Sequence, residues 1–296
     1  MAVIADALPA PPRASRSPTW LRIRQALRRH PTALLGALML LLLILMAVLA
    51  PFLGTVDPQA ISPVRRLRAP SELHWFGTDM LGRDVYSRLV YGARVSLSVG
   101  LSVAALATAI GLAVGLVTGF VRWLDGIVMR VMDGLMSIPG VLLSIALIAL
   151  TKASLENVII AITVTEVPRV VRLIRSLVLG LREQPYVDAA IAAGTRTARI
   201  LTRHILPNTV APLLVQGTYI CASAMLTEAI LSFLGAGTPP NIPSWGNIMA
   251  EARSLFQIAN YLIFFPGLFL SLAVLSVNLL GDGLRDALDP RLARNM

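Results

Sequence analysis

Residues 182–208 read REQPYVDAAIAAGTRTARILTRHILPN, a charged segment between two apolar stretches. Asp188-Ala189-Ala190 begins a short helix whose exposed residues, Ala192 and Ala193, are small, and Gly194 permits the turn that ends it. Thr195 is placed to cap a second helix carrying Arg196, Arg199 and Arg203. Small side chains on an exposed helix let a partner's groove approach the backbone closely. The order and spacing of these residues favour a docking surface over a solvated basic connector.

The composition around this segment describes a membrane protein. Of 296 residues, 56% are hydrophobic and 14% charged, where a soluble domain carries roughly 45–50% and about 25%. Length alone would suit about two soluble domains, but the apolar excess needs a bilayer. The net charge is +10, and Lys152 is the only lysine among the basic residues. Because the Arg residues sit in the gaps between apolar runs, the charge reads as membrane topology with lipid as the neighbour, and no nucleic acid is expected. A single cysteine, Cys221, excludes an intramolecular disulfide and a cysteine metal cluster; His30, His74 and His204 lack ligand spacing. No metal or cofactor is expected on this chain.

A helix needs about 20 apolar residues to cross the hydrocarbon core. The uncharged run from Thr32 to Ala50 follows Arg28 and Arg29 and reads as a retained first span: no Ala-x-Ala site follows, and Pro51 would block a cut after Ala50. Val95–Val121 is a second span, whose Gly100, Gly111, Gly115 and Gly119 suit close helix packing. Gly134–Thr151 is a third, and Ala153–Val171, interrupted by Glu156, Glu166, Pro168 and Arg169, a fourth. Ile205–Thr227 and Ser254–Gly281 complete six. Between the last two, Gly235, Gly237, Pro239, Pro240 and Pro243 make Ala229–Ala250 a turn-rich loop.

Six spans put both termini on one side, and the Arg residues are denser there: six in the N-terminal tail, then Arg122 and Arg130, then seven from Arg169 to Arg203, then three in the C-terminal tail. The opposite side holds six between Val64 and Val95, with Lys152 and Arg253. This asymmetry places both termini in the cytoplasm. The expected fold is all-α, with a cytoplasmic tail over 1–31, a first helix and extracytoplasmic loop over 32–94, a core over 95–282 containing the loop 182–208, and a cytoplasmic tail over 283–296.

The segment at 188–207 resembles the cytoplasmic coupling motif of ABC importer permeases: an acid, two Ala, a Gly four positions later and a distal Leu-Pro, here Asp188, Ala189, Ala190, Gly194, Leu206 and Pro207. Asp188 stands where the general motif has Glu, and His204 where it has Ile. Arg203 to Asn208 is similar to the form found in the dipeptide, oligopeptide and nickel branch. Five further stretches resemble that branch's second permease subunit: Phe76–Arg94, Asp133–Pro139, Leu231–Gly235, Pro243–Gly246 and Asn278–Arg291. Glu166-Val167-Pro168 departs from it, since a Trp usually precedes that Pro.

The resemblance implies an ABC importer type I-like permease fold with six transmembrane helices in a bacterial inner membrane. It implies a second homologous permease, two ATP-binding-cassette ATPases and an extracytoplasmic solute-binding protein as partners. Tyr186, Asp188, Ala189, Ala190, Ala193, Gly194, Arg199, His204, Leu206 and Pro207 would carry the ATPase coupling, with His204 holding the loop against the fifth span. The chain has no Gly-x-x-x-x-Gly-Lys-Ser/Thr loop, so ATP and Mg belong on the partner ATPases. Peptides are the expected cargo, with nickel, a metal chelate or glutathione as alternatives. An intramembrane protease would need a membrane His or a His-Glu-x-x-His motif, and a stand-alone secondary transporter would need no ATPase. Two side readings complete the picture. The 77–94 segment is expected to be an interfacial helix with internal ion pairs rather than a catalytic loop. Asp133, Glu166 and Glu228 fall near predicted span ends, where water or an Arg reaches them, which disfavours direct substrate contact.

Overall fold

The computed structural model describes residues 31–288. The Arg residues assigned to the two tails at 13–29 and 291–294 lie outside the described residues. The described chain is helical, its β content a single isolated bridge between Thr78 and Asp84.

Helix α1 (Pro31–Val48) is almost wholly apolar and lies on the outside of the bundle, with Leu34, Leu35, Leu38, Leu41, Leu42 and Leu45 exposed. Its C-terminal carbonyls are capped by Arg94, which donates to Ala47 O at 2.5 Å and Val48 O at 3.1 Å. Helix α2 (Val85–Phe120) starts where the Asp84 carboxylate accepts from Ser87 N. Its 36 residues reach about 54 Å at 1.5 Å per residue. The uncharged stretch at Val95–Val121 is therefore only the later part of a longer helix. The 77–94 segment is not a separate interfacial helix: 77–84 is a loop, and the rest is the first turns of α2.

The third expected span is broken. Helix α3 (Arg122–Ser137) stops at Ile138, which precedes Pro139 and is held extended (φ −96°, ψ 130°) by the crowding a proline imposes on its predecessor. Helix α4 (Gly140–Ala149) restarts at 91° to α3 and, at about 15 Å, is half the length a bilayer crossing needs. Hydropathy alone joined the two because Pro139 interrupts neither the apolar run nor its charge pattern.

Helix α5 (Leu155–Arg182) is capped by Ser154, whose hydroxyl accepts from Asn157 N at 3.1 Å. A short helix α6 (Pro185–Ala192) and a turn lead into α7 (Thr197–Ile200), a π-helical turn at Leu201–Ile205, and α8 (Leu206–Phe233). The expected loop at Ala229–Ala250 is a loop only over 234–244: α8 persists to Phe233, and α9 (Trp245–Ala252) follows. Helix α10 (Tyr261–Leu288) ends the described chain. Four of these helices, with α7 and α8 taken as one, are long and apolar enough to cross a membrane, and the bent α3–α4 pair makes a fifth. Helix α5 has the length, but its charges keep it below that threshold; counting it makes the number compatible with six.

The interior is organised around α2 and α5. Gly111, Gly115 and Gly119, one per turn of α2, face Val170, Ile174 and Val178, one per turn of α5. A Cβ at position 115 would lie 2.7 Å from Ile174 Cβ, and one at 119 would lie 2.6 Å from Val178 Cβ. Without a hydrophobic drive between helices in lipid, such close backbone approach is what holds them together. Helices α4 and α8 pack onto the same pair, and α1, α9 and α10 close a second cluster around Leu89, Met225 and Trp245.

The loop 77–84 is tied to α9 by a charge cluster. Arg88, 1% exposed, donates to Asp79 at 2.5 Å and to both carboxylate oxygens of Glu251 at 2.6 and 2.9 Å. Arg83 bridges the same two acids at 2.6 and 2.5 Å. The ion pairs are thus not internal to 77–94 but extend to Glu251. Beside them, Trp245 Nε1 donates to Leu89 O at 3.1 Å, fastening α9 to α2.

Two outcomes follow. Gly115→Val, by overfilling the α2–α5 seam, lowers stability by about 1–3 kcal/mol, whereas Gly180→Val, with no atom within 4 Å of its Cβ position, does not; thermal unfolding of the purified permease in detergent compares them. Arg88→Met leaves buried Asp79 with Arg83 as its remaining cation and costs about 3 kcal/mol, the low end for a broken buried pair, in the same assay.

Candidate functional site

Helix α6 opens with Pro185, whose fixed φ suits a first helical turn, and Asp188 lies in that turn, complementing the helix dipole. The helix therefore begins three residues before Asp188. Only Val187 of α6 is fully buried, inserting into the core with Val178 of α5 and with Ile200 and Ile205 of the following segment. Ala190 is half-buried beside it, while Tyr186, Asp188, Ala189, Ile191, Ala192 and Ala193 are exposed.

Gly194 ends the helix at φ +72°, a region L side chains enter at a cost. Thr195 N donates to Ala190 O at 3.0 Å and Gly194 N to Ile191 O at 2.9 Å, the paired bonds of a Schellman turn. Thr195 does not cap the next helix: Arg196 occupies the N-cap position and makes no side-chain cap bond. The helix starts one residue later than the spacing suggests, which leaves Thr195 outside the cap position.

Arg199 is exposed on α7. Beyond it, Leu206 N donates to Leu201 O, closing a π-type turn. Pro207 has no N–H to offer Arg203 O, and its ring crowds that carbonyl, which widens the turn. Asn208 Nδ2 donates to His204 O at 2.7 Å. The half-buried His204 ring stands 6.3 Å from the ring of Tyr186, across from α6; Leu206 is half-buried and Pro207 exposed. The ten singled-out residues thus form one continuous end of the bundle.

Several neighbours escaped the sequence reading. Phe120, Arg122, Arg182, Glu183, Asp188 and Ile191 line an open cleft of ≈ 460 Å³ between the ends of α2 and α5 and the outer side of α6. Arg122 and Phe120 are some 60 residues from the motif, so no local pattern could attach them to it. The buried Val187, Ile200 and Ile205 also went unnoticed, although isolated apolar residues in a charged loop are the available signal.

The three intramembrane acids differ in setting. Glu228 is fully buried, and its Oε1 accepts from Ser232 Oγ at 2.8 Å and Ser244 Oγ at 2.9 Å, with no Arg paired to it among the described residues. Asp133 pairs with Arg172 at 2.5 Å. Glu166 is not near a helix end but halfway along α5, where Arg169 approaches it at 3.4 Å. Among the described residues no group of three or more His, Cys, Asp and Glu is placed to hold a metal.

Comparison with known proteins follows the same outline. Residues 107–294 match the family described as binding-protein-dependent transport system inner membrane component, and residues 19–70 match the N-terminal TM domain of oligopeptide transport permease C. The chain is 54% identical over 285 residues to a probable peptide ABC transporter permease protein of Sinorhizobium fredii, covering 95% of this chain and 97% of the relative. It is 41% identical to the dipeptide transport system permease protein DppC of Alkalihalophilus pseudofirmus (92% and 90% covered) and 40% identical to the glutathione transport system permease protein GsiD of Escherichia coli (92% and 91%). A chain from inward-facing conformations of the MetNI methionine ABC transporter superposes with TM-score 0.58 at 21% identity, covering 68% of this chain and 97% of that one; this likeness is of fold.

Gly194→Ala forces a Cβ into the left-handed region at about 1–2 kcal/mol without meeting any atom within 4 Å. Hydrogen exchange at the amides of Gly194 and Thr195 should rise about tenfold while the α2 and α5 cores keep their protection.

Proposed function

The chain belongs to the family of binding-protein-dependent transport system inner membrane components and is a permease subunit of an ABC importer, a multi-pass inner-membrane transporter chain; on that premise we propose that it carries peptides inward in a complex with separate ATPases. The partners in this reading are a second homologous permease, two ATP-binding-cassette subunits holding ATP and Mg, and an extracytoplasmic solute-binding protein. Both termini are cytoplasmic, and this chain holds no cofactor of its own.

One observation carries the proposal: α6 presents small, exposed residues outward while Val187 anchors it to α5. A partner that grips α6 therefore moves α5 rather than a loose loop. Closure of the ATPases on nucleotide draws α6, with Tyr186, Asp188, Ala189, Ala190, Ala193 and Gly194, and the adjoining Arg199, His204, Leu206 and Pro207. The helices respond so that the pathway opens outward, and hydrolysis resets it inward. The cleft lined by Arg182 and Asp188 offers both charges to a docking side chain. The peptide cargo is supported by the relatives' names, and the glutathione relative keeps that tripeptide-like solute as a second reading.

The complete complex in proteoliposomes should accumulate radiolabelled peptide only with ATP and the binding protein; uptake by the permease without ATPases would overturn the reading. Gly194→Trp, which points a bulky side chain outward from the docking turn, should lower ATP-driven uptake at least about tenfold, equivalent to about 1.4 kcal/mol, while membrane insertion is retained.

A further inference from the structure

A second group of charged residues gathers near the midpoints of α5 and α8. Glu166 and Arg169 lie halfway along α5, and Tyr219 and Ser223 lie near the middle of α8. Ser223 Oγ donates to Glu166 Oε1 at 3.3 Å, and the Arg169 guanidinium stands 5.5 Å above the Tyr219 ring. One turn along α5, Arg172 holds Asp133 of α3. The α3–α4 break adjoins the same place: Gly140 packs against Thr165, the neighbour of Glu166.

This face is open. Arg169 is 46% exposed, Arg172 43%, Asp133 59% and Tyr219 54%. Where α1 is exposed at the bundle's outside, it shows leucines. Half-exposed charges at the depth of a helix midpoint cannot face hydrocarbon in the same way; such residues face a bundle interior or water. The opposite side of α5 is taken by the glycines of α2, so the charged side is the one left to line a space between this chain and a partner. Glu166 itself is buried, and its Oε2 atom, which makes no hydrogen bond, faces the Arg169 guanidinium at 3.4 Å and so holds that cation at the edge of the open face.

We infer that this patch is the section of the translocation pathway that recognises the charged ends of a zwitterionic, peptide-like cargo. Arg169, positioned by Glu166, donates to the cargo's carboxylate, Asp133 accepts from its ammonium group, and the Tyr219 ring packs against the apolar part between them. The inference rests on the peptide-importer reading for the class of cargo, and on exposure and depth for the place.

The test uses the reconstituted complex with its ATPases and binding protein. In a Cys221→Ala background, Tyr219→Cys should react with a charged methanethiosulfonate reagent, and the extent should change between nucleotide-free and vanadate-trapped states. The unaltered complex should take up a tripeptide with a free carboxylate at least about tenfold better than its C-terminal amide, a charge-assisted contact of about 1.4 kcal/mol. Arg169→Gln should bring that ratio within about twofold, and Arg169→Lys should restore most of it. No labelling of Tyr219→Cys in either state, or an unchanged ratio in Arg169→Gln, overturns the inference. If the unaltered complex moves no peptide although Tyr219→Cys is labelled, the peptide reading fails and takes the cargo class with it, while the position of the pathway stands.

Discussion

The seam between α2 and α5 is the constraint on which the rest of the molecule depends. Three glycines at one-turn spacing on α2 admit Val170, Ile174 and Val178 of α5 to backbone distance, and in lipid that contact has no substitute in hydrophobic burial. It fixes which side of α5 is buried. Everything else on α5 follows from that choice: the charged side turns away from α2, and the C-terminal end delivers the chain directly into α6. A helix with Glu166, Arg169, Arg172 and Arg175 along it crosses the bundle only because its apolar stripe is fully spent on α2, α4 and α8.

The two ends of the bundle are built differently. At the end holding the 77–84 loop and α9, Asp79, Arg83, Arg88 and Glu251 form a closed charge cluster, and Trp245 is sealed against α2. Networks of this kind are satisfied in one arrangement and resist partial opening. At the other end, α6 is tied to the core mainly by Val187, and its turn depends on Gly194 alone for its left-handed geometry. A rigid end and an end with few anchors suit a permease that must be moved from one side, since the displacement is taken up by the helices between them rather than by the closed cluster.

The helical class, the first span, the packing role of Gly111, Gly115 and Gly119, and the short helix ended by Gly194 were all legible in the sequence, because each is local: periodicity, length, small residues at fixed spacing, a turn glycine. The readings that failed depend on relations between distant residues or on one proline. Gly134–Thr151 looked like one span because hydropathy averages across Pro139. Glu166 looked like an end residue because Arg169 and Arg172 suggested the membrane's edge, when they are charges on a helix that continues to Arg182. Thr195 looked like a cap because spacing does not show that α7 starts one residue later, with Arg196 at the N-cap.

The sequence by itself determined that this chain lives in a membrane, that it is helical, and that a short helix ended by Gly194 interrupts the apolar runs. Those properties follow from side-chain chemistry repeated over a few turns. Only the tertiary structure decided that Arg83 and Arg88 share Asp79 and Glu251, that the third span is bent through 91°, and that Glu166, Arg169 and Tyr219 come together with Asp133 one turn away on Arg172. The bend comes from Pro139, whereas the other two rest on how helices far apart in the chain are rotated about their axes. That rotation is set by the α2–α5 seam, and no stretch of sequence shorter than the bundle contains it.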